Sequence, residues 1–317
     1  MPALDANGLA EALASLGELT NALHRVGSYV GLRRSVDVND VEARDLEAVV
    51  DEGMVRAGNA LRFFDLEWIA VDDARAAGLV EEPQLARDRH YLESERRYRP
   101  HRLSEAEERM LAEREPVVQA WSNLFDQTVS NVRVPFDDGS GERDQTVEEL
   151  LAYVHRPERE LRLRALDALY GALDPHTPVL AQCYDAIVAD RLVQDRLRSY
   201  PDPLAARHLA NELEPAAVDA MMAAIEERYD IAQRWFSKKA ELLGLERLHL
   251  ADQYAPLGGG RTIGYEESRR VVRDAFGRFS PEIRDIAEAF FEGRRVDAEP
   301  RPGKRGGAFC AYTTPSV

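Results

Sequence analysis

Cysteine is scarce in this chain: Cys183 and Cys310 are the only two in 317 residues. A disulfide framework is excluded, and a reducing cytoplasm is the expected compartment. No apolar run reaches the length of about eighteen residues that a membrane-spanning helix needs, so no membrane partner is expected. The segment Met1 to Ala14 has neither a basic start nor an unbroken apolar stretch, and does not read as a secretion signal. Positive charge is also in deficit. Lys and Arg number 41 against 57 Asp and Glu, a net charge of −16. A nucleic-acid partner requires a basic footprint, which this balance excludes.

Catalytic signatures are missing too. The seven histidines are His24, His90, His101, His155, His176, His208 and His249, and no two stand four apart. No H-E-x-x-H pair therefore exists for a zinc site. The approximations His90 with Glu93, His155 with Glu158, and His208 with Glu212 read as solvated surface pairs in a Glu-rich chain. There is no G-x-S-x-G elbow. Cys310 has Lys304 and Arg305 upstream, which would favour a thiolate. Its preferred reading is nevertheless a small, buried, inert residue on a strand. The glycine-rich stretches Pro256 to Tyr265 and Pro302 to Gly307 lack phosphate-cradle spacing and read as loops. Residue chemistry alone assigns no catalytic residue and no metal ligand.

What is present is helix. Leu9, Leu13, Leu16, Leu19, Leu23 and Val26 repeat as one buried helical face. A second helix is expected over Asp40 to Phe64, and a third over Leu66 to Leu79 with a glycine stop at Gly78. Ser104 and Glu107 form a capping box that opens a helix containing Met110 and Leu111, and Pro116 should break or kink it. Around Asn131 to Glu142 the pattern alternates and then turns at "DDGSG", predicting a short hairpin or exposed loop and the best domain boundary. Thr146 and Glu149 make a second capping box. Pro157 and Pro175 are placed to open helices, and Pro215 opens one running to Leu243 with Gly244 as its stop. Ser280-Pro281 begins another, with Ile283, Ile286, Ala287, Phe290 and Phe291 on one face and Gly293 at its end. The charged stretch Asp88 to Leu111 reads as a solvated face. The fold class is mainly α with few short strands.

Several stretches resemble, in order, the M3 family of zinc metallopeptidases, specifically its oligoendopeptidase F branch. They are "RHYLESERRYRPHRLSEAEERML", "LLAYVHRPERELRLRALDALYGAL", "YDIAQRWFSKKAELLGLERLHLADQYAPL" and "RRVDAEPRPGKRGGAFC". The last holds Asp297, Pro300, Gly303, Lys304, Arg305, Gly307, Ala308, Phe309 and Cys310, which match the family's stretch just upstream of its zinc helix. The resemblance implies a multi-helix lobe like that of neurolysin and the oligoendopeptidases. Residues 1–136 would be the N-terminal helical lobe, and 146–317 the first part of the catalytic domain, truncated before the zinc helix. It implies hydrolysis of internal peptide bonds of oligopeptides, with zinc in the full-length enzyme and none at a catalytic site of this chain. The expected partners are oligopeptide substrates and a missing C-terminal catalytic half or a complementing chain.

In the family, a strand corresponding to Gly306 to Tyr312 lines the substrate channel. Gly306, Gly307, Ala308 and Phe309 are thus the expected substrate-binding residues. The two glycines suit either close approach of a peptide backbone or a tight turn after Lys304. Phe276, Phe279, Phe290 and Phe291 are expected to leave exposed apolar patches, followed by a marginally ordered tail. The alternative reading is a non-catalytic helical protein, derived from that family, that binds peptides or partners.

Overall fold

A computed structural model describes residues 4–258 and 263–311. Among these, helix α1 (Ala6–Val36) is followed by α2 (Val41–Leu61), α3 (Phe63–Ile69), α4 (Asp73–Val80), α5 (Arg89–Arg97) and α6 (Glu105–Ser130). The antiparallel hairpin β1 (Val134–Asp137) and β2 (Glu142–Gln145) comes next. Helices then resume as α7 (Val147–Ala152), α8 (Arg159–Leu173), α9 (Thr177–Leu197), α10 (Ala205–Ala210) and α11 (Pro215–Glu227). The last three are α12 (Tyr229–Leu242), α13 (Tyr265–Phe279) and α14 (Pro281–Glu292). The fold is mainly α, as the sequence predicts.

The chain forms two compact units. The first holds residues 4–129, 176–229 and 305–311, the second 130–175, 230–258 and 263–304.

The core of the first unit joins Leu9 and Leu13 of α1 to Phe64 and Trp68 of α3, with Val80, Leu85 and Leu92 closing around them. Trp68 is 1% exposed, and its indole N–H donates to the Leu92 carbonyl at 2.7 Å, so its one polar atom is satisfied inside the core. Arg96 lies over the indole face, 5.5 Å from the ring centroid, and donates to the carbonyls of Trp68 and Val71. One α5 residue thus ties down the end of α3 and the turn after it. Elsewhere in this unit, Arg34 and Glu47 join α1 to α2 at 3.1 Å. Glu108 of α6 is buried and accepts two bonds from Arg198, at 2.7 and 3.0 Å. Burial pushes the Glu108 carboxyl up, but the Arg198 bonds and the Leu103 amide outweigh it and bring it below the ordinary glutamate range.

The second unit starts from the hairpin, whose register pairs Val134 with Gln145 and Phe136 with Arg143. Its turn is the expected "DDGSG": Asp137 Oδ1 accepts from the amides of Gly139 and Gly141, and both glycines have positive φ. Thr146 and Glu149 form the predicted capping box. Beneath α8, Asp252 is fully buried and accepts from Arg159 at 3.0 Å and Arg162 at 2.7 Å. Burial alone would raise this carboxyl. Both guanidinium groups and the His249 amide override it and hold it down at about 2.

Local signals account for most element ends. Ser104 and Glu107 cap each other as predicted. Gly244, at φ 68°, stops α12, and the Leu245 amide closes back on the Ala240 carbonyl. Ser280 caps α14. Five expectations need correction. The helix expected over 40–64 divides at Arg62. Gly78 sits inside α4 rather than stopping a helix; the break falls earlier, where Asp72 caps a new helix by accepting from the amides of Ala74 and Arg75. Pro116 lies within α6, which continues past it. Pro157 precedes the first turn of α8, and Pro178, not Pro175, lies in the first turn of α9, second after Thr177. The helix expected from 215 to 243 is two, divided at Arg228.

Two stability outcomes follow. Trp68→Ala should destabilise the first unit by about 3–5 kcal/mol, read as a shifted urea midpoint. In the second unit the folded Asp252 carboxyl titrates below its unfolded value. Its contribution is therefore complete above about pH 4 and is lost as pH falls toward 2. Melting temperature should drop across that window in the native chain. Asp252→Ala, which strands the buried Arg162, should cost about 3–5 kcal/mol at neutral pH.

Candidate functional site

The segment singled out by sequence begins at an anchor. A helix leaves its last carbonyls without partners inside the helix. In the last turn of α1 the Ser35 carbonyl is such a group, and the Arg305 amide donates to it at 3.0 Å. The Arg305 side chain reaches α6, where its Nε lies 2.9 Å from Asp126 Oδ2. Burial pushes the Asp126 carboxyl up, with Arg305 and Arg34 pulling the other way.

Beyond Arg305, residues 306–311 are exposed. Among the described residues, none of their amides or carbonyls makes a backbone hydrogen bond. Gly307 has φ +88°, and nothing stands within 4 Å of where a Cβ would be. Its glycine is therefore required by a left-handed turn, while the open space beside it leaves room for a second backbone. Phe309 is 59% exposed. The structure thus gathers Gly306, Gly307, Ala308 and Phe309 into one accessible run with free main-chain groups.

Two expectations are overturned here. The stretch Gly306 to Tyr312 forms no strand through Ala311, because no neighbouring strand offers a ladder; Tyr312 lies outside the described residues. Cys310 is exposed rather than buried, since without a sheet there is no face to cover it.

The second unit ends in a self-contained clamp. The Asp297 carboxylate accepts two bonds from Arg301, at 2.8 and 2.7 Å, and lies 3.2 Å from Lys304 Nζ. Lys304 also donates to the carbonyls of Asp297 and Glu299. The Arg301 bonds, with help from Lys304, hold the Asp297 carboxyl down at about 2. The sequence shows these residues as a motif. Their mutual pairing explains the spacing, because Arg301 stands four and Lys304 seven positions after the shared carboxylate. Of the glycine-rich stretch at 256–265, residues 259–262 lie outside the described residues.

Four of the seven histidines are engaged elsewhere. His90 pairs with Glu212 at 2.9 Å rather than with Glu93, which also takes Glu212 away from His208. His155 packs against the Tyr254 ring, and Glu158 faces Arg156. His101 stacks on Tyr200, and His249 accepts from the Ala251 amide. Among the described residues, no three His, Cys, Asp or Glu side chains come together in a way that could hold a metal. This donor set does not fit a catalytic zinc. In the first unit, a cleft of about 360 Å³ is lined by Arg62, Glu108, Gln194 and Arg198. Its charged floor is the Glu108–Arg198 pair, already satisfied as a strut between α6 and the end of α9. Sequence reading missed that pair and the Arg159–Arg162–Asp252 cluster, since both join residues about ninety positions apart.

Comparison with known proteins places the geometry in context. The family model for the N-terminal part of M3 peptidases, oligopeptidase F, matches residues 67–133. Oligopeptidase PepF of Bacillus subtilis is 25% identical over 318 aligned residues, covering 98% of this chain and 47% of its own length. An oligoendopeptidase F homolog of Lactococcus lactis is 23% identical, covering 95% of this chain and 51% of its own length. The chain spans about half the length of the curated relatives it matches. Among solved structures, PZ peptidase A with an inhibitor superposes with a TM-score of 0.81 at 18% identity, over 98% of this chain and 54% of the other. Oligoendopeptidase-F from Enterococcus faecium gives 0.72 at 19%, over 89% and 55%. These likenesses carry the fold.

Removing the side-chain half of the anchor, with the backbone bond from residue 305 to the Ser35 carbonyl retained, should loosen the run. Arg305→Ala is expected to speed amide hydrogen exchange at Lys304 and Arg305 by about tenfold while leaving the melting temperature within about 2 °C, as for loss of one half-exposed ion pair.

Proposed function

We propose, on the premise that this chain carries the N-terminal portion of an M3-family oligoendopeptidase F, that it serves a zinc metalloendopeptidase acting on internal peptide bonds of oligopeptides. Its part is to bind the peptide. In this reading residues 1–136 form the N-terminal lobe and 146–317 open the catalytic domain. The compartment is the cytoplasm; among the described residues no helix is long and apolar enough to cross a membrane. Zinc, held on an H-E-x-x-H helix that this sequence does not contain, would polarise the scissile carbonyl and activate a water.

The carrying observation is the open main chain at 306–311, fixed at its start by Arg305 on α1. An extended peptide laid against it gains backbone hydrogen bonds irrespective of its side chains, which suits an enzyme of broad peptide preference. Gly307 keeps the approach clear, and Phe309 offers an apolar contact for one substrate side chain. The exposed Cys310 is not needed for any step.

The test is fluorescence anisotropy with a labelled, unstructured oligopeptide, together with a cleavage assay on an internally quenched peptide. The chain alone is expected to bind the peptide weakly and not to cleave it, with or without added zinc. Gly307→Val, which forces a β-branched residue into a left-handed turn and fills the open side, should weaken binding about tenfold. Cleavage by the chain alone, abolished by a chelator, would contradict the assignment of the metal elsewhere. Binding to partner proteins but not to peptides would favour the non-catalytic interaction reading.

A further inference from the structure

Three charged groups line the floor of the cleft in the first unit, and one of them is left over. Both oxygens of the buried Glu108 are taken: Arg198 donates at 2.7 and 3.0 Å, and the Leu103 amide at 3.2 Å. Arg62, at the break between α2 and α3, gains little from this arrangement. Its Nη1 stands 3.6 Å from Glu108 Oε2, beyond hydrogen-bond length, and its Nη2 reaches only Asn59 Oδ1 at 3.4 Å. Its Nε is buried and, among the described residues, has no partner. A guanidinium carries five donors, and leaving them unmade inside a protein is costly. Two guanidinium groups against one buried carboxylate also leave a surplus positive charge.

The rest of the lining selects the kind of anion that fits. Met54, Val55, Leu111 and Ala112 supply apolar walls, and about 360 Å³ is at the small end of the range for small-molecule sites. Gly58 faces the same cleft from α2, and nothing stands within 4 Å of where its Cβ would be, so the wall is open there. Gln194 donates from Nε2 to Asp190 at 3.0 Å, which leaves its amide oxygen as an acceptor on the cleft. The exposed Glu115 at the rim and the buried Glu108 both disfavour an anion of more than one charge.

We propose that this cleft binds an acylamino monocarboxylate with an apolar side chain, either a free acylated amino acid or the last residue of a peptide. Its carboxylate pairs with the planar fork of Arg62, whose donors are otherwise unused. Its side chain lies against Met54 and Leu111, and its amide N–H donates to Gln194 Oε1. One negative charge matches the one surplus guanidinium, whereas a phosphate dianion would bring a second negative charge toward Glu108 and Glu115. The site shares no residue with the run at 306–309 and does not rest on the peptidase reading.

The test labels the methionine methyl groups of the 317-residue chain with carbon-13 and titrates in N-acetyl-leucine. Among the described methionines only Met54 lines the cleft, so its resonance, assigned with Met54→Leu, reports on the site. It is expected to shift saturably with a Kd on the order of 1 mM, while Met221 and Met222 stay still. N-acetyl-leucine amide, which lacks the charge, should bind at least about tenfold more weakly. Arg62→Gln should bring the acid down to the level of the amide. Gly58→Leu fills the open wall without removing a polar group and replaces a glycine within a helix. It should weaken binding about tenfold at an unchanged or higher melting temperature, so loss of binding there cannot be loss of fold. N-acetyl-Ala-Ala-Leu binding as tightly as N-acetyl-leucine would identify a peptide end as the ligand; binding of N-acetyl-leucine alone would identify a free acylamino acid. A still Met54 resonance, equal binding of the amide, undiminished binding by Arg62→Gln, or inorganic phosphate competing as well as the acid would each overturn the proposal.

Discussion

The bond from the Arg305 amide to the Ser35 carbonyl is the constraint on which the functional account depends. It uses a helix end that would otherwise need solvent, and the Arg305 side chain adds a second hold on Asp126. Together they fix where the run 306–311 begins. Without that fixed start, free main-chain groups would be an ordinary loop. With it, they become an oriented row, and orientation reduces the entropy lost when a peptide is bound.

The interior supports this by long-range pairing more than by size of core. Trp68 with Arg96 locks α3 to α5, Glu108 with Arg198 ties α6 to α9, and Asp252 joins α8 to the segment after α12. In each case a buried charge or polar atom has its full complement of partners, the condition under which burial is tolerated. The hairpin of α13 and α14 differs: it buries no residue fully, and Glu288 Oε2 between the two helices has no hydrogen-bond partner.

Much of the fold was legible in the sequence because it is local. The leucine spacing of α1, the capping boxes at Ser104 and Thr146, the "DDGSG" turn and the Gly244 stop each depend on a few neighbouring residues; the spacing marks the helix but not one buried face, since Leu9 and Leu13 are buried while Leu19 and Val26 are 52% and 51% exposed. Breaks were harder. The divisions at Arg62 and Arg228 carry no proline or glycine, and Asp72 outcompetes Gly78 by offering its side chain to two amides. Paired residues such as His90 with Glu212, 122 positions apart, leave no trace in a single sequence. The candidate run 306–309 was found through family resemblance rather than residue chemistry. The sequence suggested a strand there, since alternation is visible, but whether a ladder partner exists is a tertiary fact. The same gap explains Cys310, whose burial depended on that sheet.

The most direct test of the central claim is residue-resolved amide hydrogen exchange on the 317-residue chain, with and without a saturating unstructured oligopeptide. Main-chain pairing predicts that alternate amides within 306–311 slow on binding, while amides of the Trp68 core are unchanged. Slowing at another surface, with 306–311 exchanging as fast as in the free chain, would contradict it.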